Sequence, residues 1–144
     1  NVGTIRGGLN INSVPDRAVI GIDIRTVPGM PHAAIIEAVA RCSDDAIRIT
    51  PLADMASVAT DPAHEWIQHV FDVVAARTGQ RALPQGAAYF TDAAALRSYG
   101  PPAPTVILGP GEPSLAHQTD EFVMLPRIDE ATAIYARLLQ SWCG

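Results

Sequence analysis

Few places in this chain carry residue types that hold a metal or move a proton. The stretch His64-Glu65-Trp66-Ile67-Gln68-His69 has the most suggestive spacing. It is one residue too long for the zinc motif H-E-x-x-H, which needs both rings at i and i+4 on one helix face. Five residues at about 100° each leave these two rings ~140° apart. They cannot grip one ion from a regular helix, and both read as surface histidines. His32 follows a proline in the first turn of a helix and reads as a solvated side chain.

His117 stands in a different setting. It follows an apolar run, Pro104 to Leu108, and a break at Gly109-Pro110-Gly111. In open α/β sheets, sites gather just past the carboxyl ends of strands. A histidine there, with Asp120 and Glu121 close by, has the chemistry of a metal ligand or a base. The plain alternative is a loop histidine that only hydrogen-bonds. Asp92 heads a helix, and N-capping alone explains it. A Ser114–His117–Asp92 triad is conceivable, yet Ser114 lacks the strand-to-helix elbow of Gly-x-Ser-x-Gly. Asp23 and Arg25 share one strand face. They form an ion pair worth little, or Arg25 takes a ligand carboxylate bidentately. Gly109-Pro110-Gly111 is not a dinucleotide fingerprint, because it lacks a third glycine and a following helix. Cys42 and Cys143 have no neighbouring base in sequence and read as structural.

These residues need elements to position them. A short strand is expected over Val2–Arg6, with Gly7-Gly8 turning it. From Arg17 to Val27 apolar and polar residues alternate, which predicts a second strand with one face on a core. Pro31 suits the first turn of a helix, with Ala33, Ile36, Val39 and Ala40 at helical spacing to about Cys42. Ala46 to Thr50 alternates again and predicts a strand. Strand, strand, helix, strand is a split βαβ sheet without its first strand and helix. The chain thus reads as a fragment that begins inside a folded element.

Met55 to Thr60 reads as a joint. Asp61-Pro62 is a helix start, Asp at the N-cap and Pro at N1. Trp66, Ile67, Val70, Val73 and Val74 form its buried stripe and Gly79 ends it. Thr91-Asp92 caps a short helix to Arg97. Pro104 to Leu108 has the composition of a buried parallel strand. Pro126 opens a last helix with Ile128, Ala131, Tyr135 and Leu138 on one face.

Composition removes several classes. The chain has 144 residues, 48% hydrophobic and 17% charged, which is globular and not disordered. Its net charge is -5 and no window is basic, so nucleic acid is not an expected partner. No apolar run approaches the roughly 20 residues that span a bilayer, so no membrane is expected either. Two cysteines exclude a disulfide scaffold and fit a reduced, cytoplasmic setting.

Four stretches in order resemble one family. Gly7-Gly8-Leu9-Asn10-Ile11-Asn12-Ser13-Val14-Pro15-Asp16 is similar to the G-G-x-x-x-N-x-x-P-D stretch of zinc aminoacylases and di-zinc exopeptidases. Asp23-Ile24-Arg25 resembles their D-x-R strand. The Pro28-Gly29-Met30 ending looks most like the acetylornithine deacetylase branch, beside the succinyl-diaminopimelate desuccinylases. Thr91-Asp92-Ala93 resembles the family's (S/T)-D-(A/G) helix start. Gly109-Pro110-Gly111 followed by Ala116-His117-Gln118-Thr119-Asp120-Glu121 resembles its G-P-G…A-H-x-x-(D/N)-E loop.

The resemblance implies an α/β protein of two parts. Residues 1–58 would be a partial ferredoxin-like lid, an α+β dimerisation domain. Residues 59–144 would be the C-terminal segment of a di-zinc α/β catalytic domain. The implied activity removes an acetyl or succinyl group from an N-acyl amino acid, N-acetylornithine being the first to try, by metal-activated water. By the same resemblance His117 is the last zinc ligand and Asn12 a holder of the carbonyl oxyanion. Arg25 meets the substrate carboxylate, and Thr91 and Gly109 line the cleft. The cofactor is two zinc ions in the complete enzyme, and the implied partner is a second copy through the lid. The sequence departs from the family in having no H-x-D, no Glu-Glu and no G-x-x-G-H motif. This chain alone is therefore expected to be inactive. The alternative reading is a non-catalytic ligand-binding or dimerisation module; a serine hydrolase built on Ser114 is more remote.

Overall fold

The computed structural model describes residues 1–42, 46–101 and 103–144, in two compact units, Asn1–Ser57 and Val58–Gly144. In the first unit, β1 (Val2–Gly7) pairs antiparallel with β2 (Ala18–Ile22). Ile5 faces Ile20 and Gly7 faces Ala18, with a register shift between Val2 and Thr4 that makes Gly3 an extra, bulged residue. Past the strands, the Asp23 N–H donates to the Asn1 carbonyl at 2.9 Å. Gly7 is required by close approach, since a Cβ there would lie 2.9 Å from the Arg17 carbonyl oxygen. In the connecting loop the Asn10 side chain accepts from the Asn12 N–H at 3.3 Å and the Ser13 hydroxyl at 2.7 Å, an Asx turn.

The second strand is shorter than its alternation predicts. It stops at Ile22; one further pair, Asn1 and Asp23, exchanges hydrogen bonds at 2.9 Å, and 24–27 continues outside any strand. The strand expected over 46–50 is not present: among the described residues the sheet holds only β1 and β2, and alternation by itself makes no ladder. The split βαβ arrangement is thus present among the described residues only as one hairpin and one helix. That helix, α1 (His32–Arg41), half-buries His32, Ile35 and Val39. Its inner face is rotated by one residue from the expected one, with Ile35 in place of Ile36.

The second unit is built on two helices. In α2 (Glu65–Thr78) the residues Ile67, Val70 and Phe71 are buried, and in α4 (Leu125–Cys143) Ala131 and Ile134 are. Trp66 at the start of α2 meets Trp142 at the end of α4 edge-to-face, ring centroids 4.8 Å apart, so the helices run antiparallel. The expected stripes miss Phe71 and Ile134. Tyr135 and Ile128 stand more than a third exposed.

The start of α2 is also displaced. Asp61 accepts from the Ala63 N–H at 2.8 Å and closes a turn of its own. The cap is His64, whose Nδ1 accepts from the Trp66 N–H at 3.1 Å, while Gln68 Nε2 donates to the Pro62 carbonyl at 2.7 Å. At the other end Gly79 takes φ 75°, the left-handed cap expected of it. Between the helices lies α3 (Ala93–Leu96), extended by a 3-10 turn at Arg97–Tyr99. Asp92 occupies its N-cap position, but its side chain makes no capping bond.

No strand occurs among the described residues of this unit, so the expected strand at 104–108 is corrected. Val106 and Ile107 are 37% and 47% exposed, and a buried parallel strand needs neighbours on both sides. One side chain substitutes for them. Thr60 Oγ1 accepts from the Thr105 N–H at 2.8 Å and donates to the Thr105 carbonyl at 3.1 Å. The class is mixed α and β, with a small sheet in one unit and helices in both.

Candidate functional site

The loop that carries His117 is fixed from behind by α4. Tyr135 Oη donates to the Leu108 carbonyl at 2.6 Å, pinning the chain just before Gly109-Pro110-Gly111. A 3-10 turn at Pro113–Leu115 follows. The Gln118 N–H then donates to the Leu115 carbonyl at 3.1 Å. His117 has φ 62°, as does Asp120, a left-handed backbone that His and Asp adopt more readily than most residues. The His117 N–H donates to Glu121 Oε2 at 3.1 Å. This carboxylate therefore braces the backbone of His117 and leaves the imidazole exposed. A hydroxyl in the same loop is spoken for, since Ser114 Oγ donates to Glu112 Oε1 at 3.2 Å. No hydrogen bond joins Ser114, His117 and Asp92 among the described residues.

Behind this loop lies a cavity of about 410 Å³. Val74 of α2, Leu108, Gly109, Leu115 and Met124 line it, with Ala131 and Ile134 of α4. Its charged wall residues are Glu112 and the pair Arg127 and Glu130, 3.0 Å apart. Its size is that of a small-molecule pocket, and its lining is mostly apolar. Gly109 belongs to the lining, whereas Thr91 and His117 do not. Sequence reasoning missed this cavity and Tyr135. A tyrosine placed on an otherwise apolar stripe was the only signal for the latter.

The remaining candidates lie in the first unit. Asn12 is exposed in the Asx turn, its side-chain amide making none of the turn's bonds. Arg25 donates from Nε at 3.1 Å and from Nη2 at 2.6 Å, both to Asp23 Oδ2. With both side chains half exposed, this pair contributes little stability. It does hold the guanidinium in one orientation. His32 corrects its expectation most. It is only 24% exposed, and both ring nitrogens are engaged, one by Thr26 and the other by Asp54.

The histidines of the near-miss zinc motif part company. His64 caps α2, while His69 tilts against Trp66 with ring centroids 5.5 Å apart, its Nε2 buried without a hydrogen-bond partner among the described residues. No three His, Cys, Asp or Glu side chains among the described residues are grouped to hold a metal. Catalytic zinc takes three protein ligands as a rule, so His117 alone does not fit a zinc site. No described helix is long and apolar enough to cross a membrane.

Comparison with known proteins bears on this arrangement. Over 148 residues the chain is 28% identical to an acetylornithine deacetylase of Myxococcus xanthus, covering 100% of this chain and 38% of the relative. It is 28% identical over 152 residues to one from Vibrio cholerae serotype O1, with 99% and 38% covered. To one from Yersinia pestis it is 25% identical over 151 residues, with 99% and 36% covered. The chain thus spans well under half the length of these relatives. No solved structure matches it. Residues 4–141 match the model of Peptidase family M20/M25/M40, a span that takes in Asn12, Arg25, Thr91, Gly109 and His117, and the chain belongs to that family.

Proposed function

We propose that this chain is the carboxyl-terminal part of a zinc-dependent amidohydrolase. Its substrate would be an N-acyl amino acid of the N-acetylornithine type, losing an acetyl or succinyl group. The observation that carries this reading is the family match over residues 4–141, with relatives named acetylornithine deacetylase. In it His117 is one zinc ligand among several supplied by residues outside this chain. The braced backbone of His117 and its exposed ring suit a ligand presented to a site completed elsewhere. Arg25, already oriented by Asp23, takes the substrate carboxylate. Asn12 meets the carbonyl oxygen, and Thr91 and Gly109 border the acyl amino acid. The residues 1–58 act as lid and as dimerisation surface, and residues 59–144 as the end of the catalytic domain.

The test has two parts. The purified 144-residue chain should not hydrolyse N-acetylornithine with zinc added; zinc-dependent turnover, free of longer protein, would sink the assignment of a partial site. In a complete enzyme carrying this segment, His117→Ala should lower both bound zinc and turnover. Unchanged zinc stoichiometry refutes the ligand role.

A second reading rests on the absence of a three-ligand group among the described residues. It makes the chain a metal-free module that binds acyl amino acids. Titration calorimetry separates the two: binding by this chain that is indifferent to zinc favours the module.

A further inference from the structure

A second chemical cluster lies wholly in the first unit. Thr26 comes from the segment after β2, His32 is the first residue of α1, and Asp54 comes from the segment near the end of the unit. His32 Nε2 lies 3.0 Å from Thr26 Oγ1, and His32 Nδ1 is hydrogen-bonded to Asp54 Oδ1. An ionised carboxylate only accepts, so Nδ1 carries the proton. In the neutral ring Nε2 then holds the lone pair, and the Thr26 hydroxyl donates to it. A hydroxyl, an imidazole and a carboxylate in that order are the nucleophile, base and orienting group of acyl transfer. Thr26 and His32 are half-buried, His32 with 24% of its side chain exposed, and Asp54 is 57% exposed.

We propose that Thr26 is a nucleophile that accepts an acyl group from an activated ester, with His32 as its general base and Asp54 orienting the ring. Thr26 Oγ attacks the ester carbonyl carbon while its proton passes to His32 Nε2. The ester C–O bond breaks and the alcohol leaves, taking that proton when it is the stronger base. The product is an O-acyl threonine. This chemistry uses none of Asn12, Thr91, Gly109 and His117, so it stands or falls apart from the amidohydrolase reading.

The composition narrows the competition to the Asn1 amine and the exposed thiols of Cys42 and Cys143, which peptide mapping separates from Thr26. The 10 basic residues are all arginine, so no lysine competes for the acyl group. The 144-residue chain is incubated with p-nitrophenyl acetate, and acetylated peptides are located by mass spectrometry. Thr26 should acquire the acetyl group about 100-fold faster than exposed threonines such as Thr50, the gain expected of a positioned base. Thr26→Val should abolish the label and Thr26→Ser should keep it. His32→Gln, which retains hydrogen-bonding groups, should remove the rate advantage. If His32→Gln loses its helical circular dichroism, Asp54→Asn decides instead, with an expected fall of at least about tenfold. Acetylation of Thr26 at the rate of Thr50, or at an unchanged rate in either base-side variant, reduces the cluster to a structural clamp and overturns the proposal.

Discussion

The two units of this chain contain similar kinds of apolar residues and use them differently. The second unit buries Ile67, Val70, Phe71, Ala131 and Ile134 between two helices. The first unit has no fully buried residue among those described, although Ile5, Ile20, Ile22 and Ile24 stand in or beside its hairpin. Ile5 is 70% exposed and Ile11 wholly so. A helix satisfies its own backbone and needs one partner to hide one stripe. A two-stranded hairpin leaves both outer edges unpaired, and independent stability takes more strands or a packed helix. The comparison teaches that the second unit carries its own core, while the first depends on its turns and polar ties.

The largest effect should come from cutting the helix pair. Ile134 is 5% exposed, and Ile134→Ala should cost about 3 kcal/mol, within the range for such core truncations. Thermal denaturation followed by Trp66 and Trp142 fluorescence should report the loss, with amide exchange in β1 and β2 unmoved. Equal loss of protection in the hairpin would break the comparison, because the units would then unfold as one.

Gly7→Ala attacks the other unit. Its new Cβ would sit 2.9 Å from the Arg17 carbonyl, a backbone atom with nowhere to retreat. A cost of about 2 kcal/mol is expected, typical of overpacking. Amide protection should fall at Arg6 and Val19, which pair across the hairpin, and the helices should be untouched. A smaller loss is expected at the α2 start. His64→Ala removes the cap on the Trp66 N–H and should cost about 1 kcal/mol, read from chemical denaturation. An unchanged midpoint would return the cap to Asp61-Pro62.

That last contest shows how legible the sequence was. Helical periodicity located α1, α2 and α4, because a helix is specified by residues three and four apart. What periodicity did not settle was rotation about the axis, hence Ile35 for Ile36. The strands were overread, because alternation states which faces a strand would have and says nothing about whether a neighbour exists. β2 ends one residue pair short of Asn1 and Asp23, and 104–108 is held by two side chains, Thr60 at Thr105 and Tyr135 at Leu108, with no strand beside it among the described residues. At the candidate site, His117 was visible through its place after an apolar run and a glycine break. Its left-handed backbone and its brace from Glu121 were not, since both are set by how the loop closes. The engagement of His32 by Thr26 and Asp54 was also hidden, for Asp54 lies 22 residues away.

The smallest expected effect is the sharpest test of the comparison. Ile20 sits in the middle of β2, opposite Ile5, and is 56% exposed. A core isoleucine replaced by serine loses several kcal/mol, through lost burial and an added polar group. An exposed one changes stability by within about 0.5 kcal/mol. Ile20→Ser should therefore barely move the unfolding midpoint of this chain, as read by amide exchange at Thr4 and Arg6. A loss above about 2 kcal/mol would mean that the hairpin has a core of its own, and the distinction between the units would collapse. The same substitution in a protein carrying more of the family's length asks what covers this face. If the loss there grows to core size while it stays small here, the exposed isoleucines are the inner face of a sheet whose cover lies outside this chain.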